Sequence, residues 1–83
     1  MPESLHTPES QIFTTFLVEQ RKAAGLSQRE LAEALGVVRS WVANVELGER
    51  RVDVVEFLWI CEALDLNAAE AGAEVLGRMG KRK

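Results

Sequence analysis

Apolar residues recur every three or four positions along most of the chain, which is the spacing of one face of an α-helix. The clearest case lies between positions 27 and 46, where two short apolar stripes flank a single glycine, Gly36. The stripes consist of Leu31, Ala32 and Leu35 before the glycine and of Val42 and Val45 after it. Because glycine adopts the left-handed backbone that ends a helix without steric cost, Gly36 predicts a turn between two helices.

The residues around this turn predict two helices that cross at close range. Ala32 lies four positions before Gly36, and a small side chain there lets the two helices approach each other. Val37 follows the glycine and is predicted to pack the turn inward. This arrangement of small and apolar residues around a glycine is typical of the helix-turn-helix found in DNA-binding proteins.

Polar caps predict where the other helices begin. Three segments pair a short polar side chain with a glutamate three residues later, which is the capping box that satisfies two free backbone N–H groups. These pairs are Ser27 with Glu30, Asp53 with Glu56, and Asn67 with Glu70. Thr7, Pro8 and Glu9 predict an earlier helix start through a hydroxyl cap, a first-turn proline and an acid. The helix after the turn has Val38 at its cap position and lacks such a signal.

These signals together predict an all-α chain folded as a compact five-helix bundle, with the helix-turn-helix formed by the second and third helices. Residues 1–7 are predicted to form a flexible tail, residues 8–79 a single domain, and residues 80–83 a basic tail. The fourth helix is expected to bury one stripe, made of Val54, Phe57, Leu58, Cys61 and Leu64. Cys61 is therefore interpreted as a small buried hydrophobe.

Several function classes lack any signal. No apolar run reaches the roughly 18 residues that a membrane helix needs, and the polar N-terminus has no signal-peptide core, so we expect a cytoplasmic protein. The chain has no metal-ligand spacing, no nucleophile motif and no glycine-rich phosphate loop. We therefore predict no enzyme activity, no cofactor and no metal site, and His6 receives no role.

The distribution of charge changes what the net charge of −3 implies. Between positions 21 and 51 there are six basic and four acidic residues, a local balance of 6 − 4 = +2. The local sign matters for a phosphate backbone, so the acidic total does not exclude a nucleic-acid partner.

The chain resembles the Cro/C1-type (XRE-like) helix-turn-helix family of phage and bacterial regulators from about Phe13 to Leu66. The resemblance rests on Arg21, the run from Ala24 to Gln28, Glu30, Leu31, Ala32, the run from Leu35 to Val37, Val42, Glu46, Gly48 and Arg50. It implies a lambda-repressor-like domain that binds operator DNA, usually as a twofold dimer, with the third helix in the major groove.

The resemblance also implies which side chains contact double-stranded DNA. The base-contacting residues would be Val38, Arg39, Ser40 and Asn44. The chemistry agrees, because arginine suits guanine, asparagine suits adenine and valine suits the thymine methyl group. The backbone-contacting residues would be Arg21, Gln28, Trp41, Arg50 and Arg51.

Four of the backbone-contacting residues also have a structural interpretation. Gln28 fits the first turn of a helix without any ligand. Arg50 and Arg51 are either phosphate contacts or partners in an intramolecular pairing set. Arg21 is either structural or phosphate-facing, and a salt bridge between Arg21 and Glu46 would tie the third helix to the first.

A second surface is predicted on the last two helices. Val55 and Trp59 lie four positions apart, away from the expected core stripe of the fourth helix. Trp59 has three interpretations: an ordinary exposed residue, a residue covered by the fifth helix, or part of an interface. We predict a homodimer interface at Val55, Trp59, Leu76 and Met79.

The function predicted is sequence-specific transcriptional regulation at an inverted repeat, as a repressor or autoregulator. The alternative is an antitoxin-like or adaptor protein that mainly binds a partner protein.

Overall fold

Five α-helices make up the computed structural model, which describes residues 7–80. They are α1 (Pro8–Ala23), α2 (Gln28–Leu35), α3 (Arg39–Glu46), α4 (Val54–Ala63) and α5 (Ala68–Met79). No strand occurs between residues 7 and 80, so the all-α, five-helix prediction is confirmed. Thr7 caps α1 by accepting a hydrogen bond from the Ser10 backbone N–H. The rest of the two predicted tails, residues 1–6 and 81–83, lies outside the described residues.

The predicted caps explain most of the helix starts. Ser27 and Glu30 form a complete capping box on α2, and Asp53 and Glu56 form one on α4. At α5, Asn67 accepts a hydrogen bond from the Glu70 backbone, and the reciprocal bond of a capping box is not formed. At α3, Val38 occupies the N-cap position in an extended conformation and provides no side-chain hydrogen bond.

The turn between α2 and α3 requires the glycine that the sequence places there. Gly36 has φ of 74°, and its own backbone N–H and that of Val37 donate to carbonyl oxygens of α2. A Cβ at this position would meet no atom within 4 Å, so backbone conformation alone selects glycine. After α4 the same left-handed conformation is adopted by Asp65, with φ of 58°. Aspartate tolerates this region better than most residues do.

The core lies where α1 to α5 meet. Its fully buried apolar residues are Phe16, Leu17, Leu31, Ala32, Val42, Val45, Ile60, Cys61, Leu64, Ala71 and Val75. Burial also raises the pKa of the Cys61 thiol, because an ionised sulfur would lose its hydration. The interpretation of Cys61 as a buried hydrophobe is confirmed.

The predicted core stripe of α4 is wrong at two positions. Val54 and Leu58 are 72% and 47% exposed, whereas Ile60 is only 2% exposed. Both stripes have helical spacing, and α4 carries apolar residues around its whole circumference. Periodicity therefore cannot decide which face of α4 packs inward, and the contacts with α2 and α5 do.

An ion-pair cluster fastens α5 to α1. The Arg78 guanidinium lies 2.8 Å from Glu19 on α1 and 3.0 Å from Glu74 on α5. It also lies over the Phe16 ring, with 5.3 Å between the guanidinium carbon and the ring centroid. The hydrogen bonds that Arg78 donates to Glu74 and Glu19 raise the pKa of Arg78.

Candidate nucleic-acid interface

Helix α3 divides into an inner and an outer face. Val42 and Val45 are 2% and 3% exposed and pack into the core against α1 and α2. Arg39, Ser40 and Asn44 are exposed on the other side. The division follows from the helical spacing, because positions 40 and 44 are one turn apart and positions 42 and 45 point the opposite way. Three of the predicted base-contacting residues thus share one free surface.

Val38 extends this surface at the start of α3. Val38 is 68% exposed and is not among the apolar residues that pack against the core. The polar residues of α3 and the apolar Val38 together present the donor, acceptor and methyl-contacting groups that base edges require. Contact of these four residues with DNA remains a prediction.

Arg21 is a structural residue. Its Nε lies 2.6 Å from one carboxylate oxygen of Glu46, and a terminal nitrogen lies 3.1 Å from the other. The remaining terminal nitrogen donates to the Leu26 carbonyl oxygen at 2.8 Å. The two charged side chains are about nine-tenths buried, with exposures of 10% and 9%. The predicted salt bridge between α1 and α3 is present. Three N–H groups of the Arg21 guanidinium are used inside the protein, and its contact with the DNA backbone stays a prediction.

Gln28 connects this buried pair to the outer face of α3. Its side-chain nitrogen donates to Glu46 at 2.9 Å, and its side-chain oxygen accepts from Arg39 at 2.8 Å. The amide has only one possible orientation here, because the carboxylate only accepts and the guanidinium only donates. Arg39 is therefore held by a chain of hydrogen bonds that begins in the core. One N–H of the Gln28 amide is not used in these bonds, which leaves a donor for the predicted phosphate contact.

Arg50 and Trp41 form a second cluster at the other side of α3. The Arg50 guanidinium lies over the Trp41 ring, 4.8 Å from its centroid, and pairs with Glu56 at 3.1 Å and 3.2 Å. Trp41 itself is partly buried and packs against the core. Of the two interpretations of Arg50, intramolecular pairing is the one observed. Arg51 is exposed, and no ion pair involves it among residues 7–80.

The far side of α4 carries a group of exposed apolar side chains that we call the α4 outer face. Its members are Val54, Val55, Leu58 and Trp59, with exposures of 72%, 53%, 47% and 54%. Leu76 on α5 is 61% exposed. Met79 is different, because it is partly buried and packs against the core, and its place in the interface stays a prediction. Val54 and Leu58 belong to this surface, although the sequence pattern placed them in the core.

Comparison with known proteins decides the family. A family model described as a helix-turn-helix domain matches residues 12–73. The solved structure of an XRE-family like protein from Pseudomonas syringae pv. tomato str. DC3000 is 34% identical, has a TM-score of 0.82, and matches over 92% of each chain. The chain belongs to the XRE-like helix-turn-helix family.

Two other solved structures with regulatory names are similar to this XRE-like chain. The controller protein C.AhdI of a restriction-modification system from Aeromonas hydrophila is 43% identical, with a TM-score of 0.67 over 72% of this chain and 91% of that one. The clp gene regulator ClgR from C. glutamicum is 26% identical, with a TM-score of 0.77 over 93% of this chain and 100% of that one. No curated protein matches the chain. Between residues 7 and 80, no helix combines the length and apolarity needed to cross a membrane.

Sequence reasoning missed two features of this XRE-like site. It did not find that Gln28 joins Glu46 to Arg39, because the three residues are distant in sequence and only the folded helices bring them together. It found Glu56 as a capping residue but not as the partner of Arg50. The signal available was the six-residue separation of an arginine from a glutamate already fixed at a helix start, and that spacing alone does not specify a contact.

Proposed function

We propose that this protein is a sequence-specific regulator of transcription that inserts α3 into the major groove of double-stranded DNA. The observation that carries the proposal is the free outer face of α3, where Arg39, Ser40 and Asn44 project opposite two buried valines. An α-helix fits the major groove, and side chains on its outward face reach base edges there. The family consists of DNA-binding regulators, and it offers no enzymatic function for the chain.

The chemistry of the proposed contacts is specific enough to predict a base preference. Arg39 can donate two hydrogen bonds to a guanine, and Asn44 can form a donor–acceptor pair with an adenine. Val38 supplies apolar contact for a thymine methyl group, and Ser40 can donate or accept. The hydrogen bond from Arg39 to Gln28 limits the directions in which the guanidinium can point before DNA arrives, which lowers the entropy lost on binding.

Exposed cations near α3 support a phosphate-facing surface. Lys22, Arg29, Arg39 and Arg51 are exposed, whereas Arg21 and Arg50 are paired with acids of the same chain. The net charge of −3 of the whole protein repels DNA phosphates and so opposes non-specific binding to DNA. Such a distribution favours one face of the molecule for approach to DNA.

We propose a homodimer as the form that binds DNA. One helix-turn-helix makes few base contacts and binds weakly at physiological salt. Two copies related by a twofold axis would place their α3 helices about 34–36 Å apart and contact an inverted repeat. The α4 outer face and Leu76 offer exposed apolar area for this contact. A bound dimer excludes other proteins from its site, so repression or autoregulation is the proposed output.

The exposed Trp59 also favours a second candidate, in which the α4 outer face binds a different protein, as in an antitoxin or adaptor. Sedimentation of the purified chain distinguishes the two. Self-association at micromolar concentration supports the homodimer, and a monomer that stays a monomer on saturating DNA favours the partner protein.

Selection of bound duplexes from a random DNA pool tests DNA recognition. We expect a symmetric motif with half-sites about one helical turn apart. Recovery of sequences without any common motif, at the same affinity as the starting pool, would contradict sequence-specific recognition.

A further inference from the structure

Two adjacent arginines in the loop between α3 and α4 have opposite environments. Arg50 makes hydrogen bonds to both oxygens of Glu56 and to the Arg51 carbonyl, at 3.2, 3.1 and 2.7 Å. Arg51 is exposed and takes part in none of the ion pairs found between residues 7 and 80. The same residue type, one position apart, is therefore neutralised in one case and free in the other.

The acid that holds Arg50 is itself fixed. The Glu56 carboxylate accepts from the Asp53 backbone N–H at 3.0 Å, and the Glu56 N–H donates to the Asp53 side chain at 2.8 Å. Its side chain is 15% exposed. The hydrogen bond from Arg50 lowers the pKa of Glu56, so the carboxylate stays charged at neutral pH. Arg50 is thus attached to the first turn of α4 and not to a mobile side chain.

The other end of Arg50 is attached to α3. Its guanidinium covers the Trp41 ring, and its backbone N–H donates to the Asn44 carbonyl oxygen at 3.2 Å. Asn44 lies on the outer face of α3. A continuous set of contacts therefore runs from the recognition helix through Arg50 to α4.

We propose that Arg50 is a positioning residue that braces α3 against the first turn of α4, and that Arg51 is the residue of this loop that contacts DNA phosphate. The proposal rests on the proposed DNA-binding function. A phosphate near the Arg50–Glu56 pair meets a net charge close to zero, so the carboxylate beside Arg50 reduces the attraction that Arg50 offers. Arg51 can neutralise a phosphate without breaking any ion pair found in the described part of the chain.

Salt dependence of DNA binding separates the two roles. The logarithm of the binding constant falls as the logarithm of the salt concentration rises, and each neutralised phosphate makes that slope steeper by about 0.9. Arg51→Gln should reduce the magnitude of that slope by about 0.9 for each bound protomer and weaken selected and random DNA alike. The double variant Arg50→Gln/Glu56→Gln removes the brace without changing net charge. It should keep the wild-type slope and lower the ratio of specific to random binding about tenfold, because the base-contacting side chains are misplaced.

A conservative variant sharpens the test. Arg50→Lys keeps the positive charge but loses the planar, two-bond pairing and the stacking on Trp41. For a brace, this variant should lose specificity as the double variant does. Restoration of wild-type binding by lysine would show that Arg50 is itself a phosphate contact and would overturn the proposal. A fall of about 0.9 for each bound protomer in the magnitude of the double variant's slope would do the same.

The brace is also tested in the free protein, so that a failure of DNA binding does not conceal it. In a Trp59→Phe background Trp41 is the remaining tryptophan, and Arg50→Gln should shift its emission whereas Arg51→Gln should not. Thermal unfolding of Arg50→Gln, Glu56→Gln and the double variant should show non-additive losses. Unchanged Trp41 emission together with strictly additive losses would contradict the brace, even if DNA binding is normal.

Discussion

The two surfaces proposed to make contacts, the outer face of α3 and the α4 outer face, are organised in opposite ways. The first is polar, and its Arg39 is held by a hydrogen-bonded chain through Gln28 and Glu46 to the buried Arg21. The second is apolar, and its exposed side chains receive no comparable support. Hydrogen bonds to base edges depend on direction, whereas burial of apolar area does not. A surface proposed to distinguish bases therefore has side chains held by hydrogen bonds to the core. A surface proposed only to exclude water does not need such hydrogen bonds.

The strongest test of this comparison removes the origin of the hydrogen-bonded chain. Glu46→Ala leaves Arg21 about nine-tenths buried without its carboxylate, and we expect a loss of about 3–5 kcal/mol in the free energy of unfolding. Urea denaturation measures it. The matched control is Glu33→Ala, since Glu33 is exposed on α2, and it should change stability by less than about 0.5 kcal/mol. Equal effects in the two variants would mean that the buried pair does not support α3.

A pair of substitutions on α4 tests which of its faces belongs to the core. Ile60 is 2% exposed and Leu58 is 47% exposed. Ile60→Ala should cost about 2–5 kcal/mol through lost burial and a cavity, and Leu58→Ala should cost much less in the monomer. Thermal unfolding at low protein concentration provides the comparison. A larger loss for Leu58→Ala would reverse the assignment of the two faces.

Charge on the α4 outer face should act on association and not on folding. Trp59→Glu places a carboxylate among exposed apolar residues, and truncation of a central tryptophan at an interface typically costs at least about 2 kcal/mol. We expect sedimentation to show a monomer where the wild type associates, with an unchanged circular dichroism spectrum. Normal dimerisation and normal operator binding by this variant would remove the α4 outer face from the proposed interface.

The smallest expected effects concern single base pairs. Arg39→Ala and Asn44→Ala should each cost about 1–3 kcal/mol of discrimination at one position of the selected site. Competition binding with duplexes altered at that position measures the change. Losses of the same size on selected and random DNA would indicate phosphate contact and not base contact.

Local rules of helix formation explain why so much of the fold could be predicted. A cap such as Ser27 with Glu30 requires only residues three apart, and the left-handed turn at Gly36 requires only its own backbone. The predicted pair of Arg21 with Glu46 joins residues 25 apart, a separation that no local rule of helix formation covers.

The errors occurred where tertiary packing decides between equal local patterns. Apolar residues surround α4, so Val54 and Leu58 were predicted to be buried and Ile60 was not. Likewise, Arg50 and Arg51 are alike in the sequence, and only the position of Glu56 makes them different.

At the uncapped start of α3, a single residue affects both the stability of the domain and the proposed contact with DNA bases. Val38 has the extended backbone of an N-cap but lacks a capping side chain, and a serine in that place would stabilise the domain by about 0.5–2 kcal/mol. For a domain of this size, 1 kcal/mol raises the melting temperature by about 4–8 °C. In a lineage that drifts from valine to serine at position 38, one mutation then provides heat tolerance and removes the apolar side chain proposed to contact thymine. A substitution that is selected for stability at this position would therefore also change the proposed base preference.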